Sequence, residues 1–100
     1  MQNREFAPVT PGEILKEEFL AEYGLSQGGL ARAVGISGNR ITEIINNRRR
    51  ITADTALRLA LYFGNSPEFW MNLQAYYDLK IAQHNLPPDE AERIKARRAA

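Results

Sequence analysis

One hundred residues, 44% of them apolar, suffice for a single small domain with a modest core. Domains of this size bury only about 60% of their unfolded surface, so association with a second copy would add useful stability. The absence of cysteine excludes a disulfide, a thiol nucleophile and a thiolate metal site, and a net charge of +1 singles out no partner.

The chain opens with an irregular arm over residues 1–9. Its sequence, MQNREFAPV, lacks the basic region and apolar run of a signal peptide. No apolar run along the chain is long enough to span a membrane. The expectation is therefore a soluble, cytoplasmic protein with no membrane partner.

Thr10-Pro11-Gly12-Glu13 is a strong helix start, with threonine as cap, proline at the first helical position and glutamate placed to close a capping box. It predicts a first helix from Pro11 to about Tyr23, ended by Gly24, with Ile14, Leu15, Phe19 and Leu20 buried. Ser26 caps a second helix running to about Val34. Gly28 and Gly29 lie early in it and cost helix stability; they either permit a close approach to a phosphate backbone or belong to a surface helix that tolerates them.

Leu25 to Asn46, LSQGGLARAVGISGNRITEIIN, has the spacing of a helix-turn-helix. Gly35 sits at the sharp turn, where positive φ costs glycine little. Ala31 stands where a larger side chain would push the next helix away. Ser37 caps a third helix from Gly38 to about Asn46, with Ile41, Ile44 and Ile45 inward. Asn47-Arg48-Arg49-Arg50 is a loop. Thr52 is expected to cap a fourth helix whose apolar face is Ala56, Leu57, Ala60, Leu61 and Phe63, stopped by Gly64. Ser66 and Pro67 open a fifth helix to about Gln83. Pro87 and Pro88 break the pattern, and Asp89 to Arg98 is compatible with a short, exposed terminal helix. The organisation expected is an arm at 1–9, a helix-turn-helix domain at 10–83 and a tail at 84–100, all α-helical.

The distribution of charge is more informative than its sum. Residues 26–50 carry Arg32, Arg40, Arg48, Arg49 and Arg50 against Glu43 alone, a local excess of +4, while residues 1–25 carry −3. A local basic face on a helix-turn-helix suits DNA. Ser37, Gly38, Asn39, Thr42 and Glu43 lie where such a helix meets base edges in the major groove. Asparagine can bond adenine twice, and threonine can touch a thymine methyl. Glu43 can accept from cytosine, or remain a solvated charge that tunes specificity by repulsion. Gln27, at a helix start, and Arg40, Arg48, Arg49 and Arg50 form the expected phosphate set.

The aromatic segment on the fifth helix offers Phe69, Trp70, Leu73, Tyr76 and Tyr77. The plain reading is a core-facing helix. The apolar arc is wide for one monomer, so part of it is a candidate two-fold contact, the symmetry of a protein that reads palindromic DNA. His84 is the only histidine and reads as a surface residue. Glu13, Glu17 and Glu18 follow helix-surface spacing. With no nucleophile motif, metal-ligand cluster or phosphate-binding glycine loop, neither an enzyme nor a cofactor is expected.

From Thr10 to Leu79 the chain resembles the HigA-type antitoxins, the VapI group of the lambda-repressor-like (XRE) helix-turn-helix superfamily. The resemblance is carried by Pro11-Gly12-Glu13-Ile14-Leu15, Leu25-Ser26-Gln27, Leu30-Ala31, Gly35-Ile36-Ser37, Asn39-Arg40-Ile41, Ile44, Arg49, Ile51-Thr52, Ala56-Leu57-Arg58-Leu59-Ala60 and Phe63-Gly64. Ser66-Pro67-Glu68-Phe69-Trp70, followed by Leu73-Gln74 and Tyr77-Asp78-Leu79, is its most specific part. The resemblance implies a five-helix domain, a homodimer on palindromic operator DNA at its own promoter, and a partner toxin that is a HigB-type (RelE-like) messenger-RNA endonuclease. Gly28 and Gly29 depart from the longer residues usual early in the second helix. The tail from His84 to Ala100 matches no family pattern, and either a toxin contact or a disordered end fits it. The rival expectations are a stand-alone repressor with no toxin, and a toxin-neutralising interaction module that binds DNA only weakly.

Overall fold

Capping side chains set where most of the helices begin, and so the order of the fold. The computed structural model describes residues 6–99; the first five residues of the expected arm, and Ala100, lie outside them. Among the described residues there are six helices and no strand. Helix α1 runs as Pro11–Ile14, Leu15–Leu20 and Ala21–Tyr23 without a break; α2 is Gln27–Val34, α3 Gly38–Ile45, α4 Ala53–Phe63, α5 Pro67–Asn85 and α6 Pro88–Ala96.

The capping box at α1 closes as the sequence predicts: Thr10 N–H donates to Glu13 Oε1 at 3.0 Å, and Glu13 N–H donates to Thr10 Oγ1 at 3.1 Å. Ser26, Ser37 and Ser66 each accept the backbone N–H three residues on, satisfying donors that a helix start leaves unpaired. Thr52 does not: it holds the extended cap conformation at the head of α4, but its side chain makes no capping bond.

The middle of α1, Leu15–Leu20, is wound as a π-helix rather than the plain α-helix expected. Its i→i+5 register brings residues five apart onto one face. That places both Leu15 and Leu20 in the core, which α-helical winding would turn well apart. Upstream, Gly12 lies against the end of α3. A Cβ there would overlap the Ile44 carbonyl oxygen and stand 2.7 Å from Ile45 Cα. The absence of a side chain thus lets the start of α1 rest on the backbone of α3.

One continuous core joins Leu15 and Leu20 of α1, Leu30, Ala31 and Val34 of α2, Ile41 and Ile44 of α3, Ile51, and Ala56, Leu59 and Ala60 of α4 to Trp70 of α5. Ile14 and Phe19 are half-buried rather than buried. Two expectations for α4 fail. Leu57 and Leu61 are 50% and 77% exposed, and Thr55 and Leu59 face inward in their place. The apolar residues of α4 form two adjacent stripes, and packing on α2 and α5 selects the one through Ala56, Leu59, Ala60 and Phe63.

Trp70 is also corrected. It is fully buried, with its ring centroid 4.7 Å from that of Phe19 and 5.0 Å from that of Phe69, and its indole N–H donates to Asn65 Oδ1 at 2.9 Å. Such a residue has no surface left for a second protomer. Helix α5 continues to Asn85, two residues past the expected end at Gln83. Leu86 and Pro87 then separate α5 from the exposed helix α6, which Pro88 opens at its first position. The described part of the arm runs beside α5, where the Phe6 ring stacks on His84 with centroids 3.7 Å apart.

Candidate nucleic-acid interface

The turn between α2 and α3 fixes how the reading helix is presented. Gly35 takes φ +76°, and its N–H and that of Ile36 both bond to the Ala31 carbonyl, at 2.9 and 3.0 Å. Arg58 of α4 closes the same helix end by donating to the Val34 and Gly35 carbonyls at 2.9 and 3.3 Å. A cation at a helix C-terminus is favourable for both the free carbonyls and the dipole. With Ile41 and Ile44 buried beneath it, α3 is held with its other face outward.

That face carries the expected base-reading set, two of whose side chains, Asn39 and Glu43, are bonded to each other. Ser37, Gly38 and Asn39 are exposed, and Thr42 and Glu43 are half-buried. The Ser37 hydroxyl oxygen accepts the Arg40 N–H at 3.1 Å, so its first role is the cap. A Cβ on Gly38 would meet nothing within 4 Å, leaving the backbone there open to a groove wall. Asn39 Nδ2 donates to Glu43 Oε2 at 3.3 Å, and Thr42 Oγ1 donates to Gln27 Oε1 at 2.8 Å. The residues expected at bases and at phosphates thus meet in the folded chain, at Thr42 and Gln27.

The four arginines expected at phosphates are placed differently from one another. Arg49 Nε donates to Glu43 Oε1 at 2.7 Å and so stays beside the reading face. Arg40 turns back toward α4, where it meets Asp54 Oδ2 and Thr55 Oγ1, both at 3.4 Å. Arg50 is paired with Asp78 of α5. Arg48 is exposed and has no ion-pair partner among the described residues. Asn47 at the head of this loop has φ +60°, a left-handed conformation asparagine tolerates, and its amide donates to the Tyr77 hydroxyl at 2.8 Å.

Tyr77 is therefore turned toward the arginine loop, and Leu73 packs against the core. Of the five α5 residues expected at a two-fold contact, Phe69 and Tyr76 keep exposed surface. Gly12, Arg58, Gln74 and Asp78 fall in motifs that carry the resemblance, but the sequence alone assigned none of them a role in the site. Gln74 carried a signal: a polar residue one turn after Trp70, on the core-facing side of α5, needs an internal partner. Among the described residues no group of three or more His, Cys, Asp or Glu side chains could hold a metal ion, and no helix is long and apolar enough to cross a membrane.

The helix-turn-helix family model matches residues 15–70. Virulence-associated protein I of Dichelobacter nodosus is 51% identical over 81 residues, covering 81% of this chain and 75% of that protein. Antitoxin HigA-1 of Vibrio cholerae is 42% identical over 95 residues, covering 95% of this chain and 89% of that protein. The fold superposes on PA4674 of Pseudomonas aeruginosa, solved in complex with its operator DNA, with TM-score 0.84 and 42% identity over 88% of this chain and 95% of that one. Both the sequence and the presentation of α3 place the chain in the HigA-type (VapI) group of the helix-turn-helix family.

Proposed function

We propose that the chain is a sequence-specific DNA-binding antitoxin that represses its own operon. The observation that carries this is the outward face of α3, set on a backbone that matches an operator-bound relative with TM-score 0.84. In this reading two copies bind a palindromic operator, each laying α3 in the major groove. Asn39 and Thr42 meet base edges, Gly38 gives close approach, and Glu43 orients Asn39 and Arg49. Gln27, Arg48 and Arg49 hold phosphates. The exposed part of α5, with Phe69 and Tyr76, contributes to the two-fold contact. Repression follows from occupying promoter DNA and calls for no chemistry by the protein. The second partner is a HigB-type messenger-RNA endonuclease toxin, as the antitoxin relatives suggest, and the setting is the cytoplasm.

The test has two arms. Co-expression with any short reading frame adjacent to this gene should show growth arrest by the neighbour, rescue by this chain and co-elution of the two on a sizing column. Titration of labelled promoter DNA should show binding that random DNA of equal length does not match. A harmless neighbour that elutes separately would remove the antitoxin role and leave a stand-alone repressor. Equal affinity for both DNAs would remove the repressor role.

A further inference from the structure

The three consecutive arginines behind α3 are handled in three ways, and α5 is responsible for one of them. Gln74 is 4% exposed, and both halves of its amide are used. Its Oε1 accepts the Ile51 N–H at 2.8 Å, and its Nε2 donates to Asp78 Oδ1 at 3.1 Å. A buried amide with both ends satisfied is a rigid support. Asp78 stands one helical turn on and is thereby fixed from below, while its other oxygen accepts from Arg50. Adjacent residues of the loop, Arg50 by its side chain and Ile51 by its backbone, are thus held at two points one turn apart on α5. Tyr77 adds a third hold at Asn47. Together these groups line a groove of 260 Å³ beneath the arginine loop.

An exposed ion pair alone is weak, because two long side chains must be ordered to make it. Here one partner, Asp78, is held by a second bond from the buried Gln74 amide. The contrast with Arg49 is in the partner. The carboxylate that binds Arg49 is Glu43 of α3, whereas the one that binds Arg50, whose side chain is 64% exposed, is Asp78 of α5.

Building on the DNA-binding reading above, we propose that Asp78 is a positioning residue that withholds the Arg50 charge from DNA, and so sets how tightly the chain holds DNA of any sequence. Sequence-independent binding comes almost wholly from counterion release by cations placed at phosphates. Removing one cation from that set lowers affinity for random DNA, where no base contact compensates. The loop then presents Arg48 and Arg49 while Arg50 stays on α5.

The experiment measures binding of the full chain to promoter and random duplexes from about 50 to 200 mM salt, over which a protein that makes several phosphate contacts loses orders of magnitude in affinity. Asp78→Asn should tighten binding to random DNA and steepen the slope of log K against log salt by about 0.9, one additional phosphate contact. Asp78→Glu should restore the wild-type slope. The deciding variant is the double substitution Asp78→Asn with Arg50→Ala, which should return to the wild-type slope because Arg50 is the charge released. If Asp78→Asn steepens the slope equally without Arg50, the effect is simple loss of a repelling carboxylate and the proposal is overturned. An unchanged slope in folded Asp78→Asn overturns it too. Failure of the wild-type chain to bind either duplex would overturn the DNA reading, and this proposal with it.

Discussion

The Thr42 hydroxyl donates to the Gln27 side-chain oxygen at 2.8 Å, joining the exposed face of α3 to the first residue of α2. A threonine expected at a base and a glutamine expected at a phosphate therefore act as one unit. Their contributions to operator binding should not add. Residues in contact commonly show coupling of about 0.5–3 kcal/mol. Thr42→Val, Gln27→Ala and the double variant, titrated on the promoter duplex, should give a coupling within that range. Strict additivity would mean that the two side chains contribute to DNA binding independently of each other.

Asn39 lies one turn before Glu43 and donates to it at 3.3 Å, which turns the asparagine amide to one side of the reading face. Asn39→Ala should cost about 1–3 kcal/mol on the preferred operator and relax specificity at one position, measured with a set of single-base operator variants. Glu43→Gln keeps an acceptor for Asn39 but weakens the hold on Arg49, so its loss should be smaller on operator and accompanied by tighter binding to random DNA. Equal losses by Asn39→Ala on operator and random duplexes would refute its base-reading role.

Arg48 is the arginine of the loop with no carboxylate partner among the described residues, so its charge is available without exchange. Arg48→Ala should weaken binding to all sequences alike and flatten the salt dependence by about 0.9 in slope. Arg49→Ala should do the same and also free Glu43, adding a sequence-dependent change that Arg48→Ala lacks. An unchanged slope in Arg48→Ala would place that side chain off the phosphates.

Gly12 rests against the backbone of Ile44 and Ile45, and no neighbouring side chain can yield to relieve a clash there. Gly12→Ala should therefore destabilise, although alanine is the better helix former. Overpacking of this kind costs about 1–3 kcal/mol. Urea unfolding followed by far-UV circular dichroism should show that loss, and operator affinity should fall as well because α1 props the end of α3. Stability equal to wild type would mean that α1 can lift from α3 freely.

What could be read from sequence divides by the range of the interaction. Capping serines, the positive-φ turn at Gly35 and the inward isoleucines of α3 are local signals, written within four or five residues, and each is found where the sequence places it. Gly12 looked like part of a helix start, because its neighbour, the end of α3, is more than thirty residues away. The apolar face of α4 was ambiguous because two stripes fit helical periodicity, and only its packing partners exclude Leu57 and Leu61. The arginine run read as one basic clamp, yet its members answer to Glu43 and Asp78 on different helices. Local patterns thus gave the reading helix, while the distribution of charge around it depended on the tertiary fold.

Trp70 and Tyr76 belong to the same aromatic segment and should behave oppositely. Trp70 is enclosed by Phe19, Phe63 and Phe69, whereas Tyr76 is 63% exposed. Trp70→Ala opens a large cavity and should cost about 3–5 kcal/mol of folding stability. Conservative replacement by phenylalanine should still leave the Asn65 carbonyl without its indole donor and lose part of that amount. Tyr76→Ala removes little from the monomer, and a change in folding stability within about 0.5 kcal/mol is expected for a surface site. If α5 forms the two-fold contact through this face, Tyr76→Ala should instead weaken self-association by more than about 1 kcal/mol in sedimentation equilibrium, as an aromatic anchor would. Operator affinity would then fall with a stronger dependence on protein concentration, since two half-sites would have to be filled separately. Unaltered self-association in Tyr76→Ala would remove that residue from the contact and turn attention to the other exposed apolar residues of α5, Met71 and Leu79.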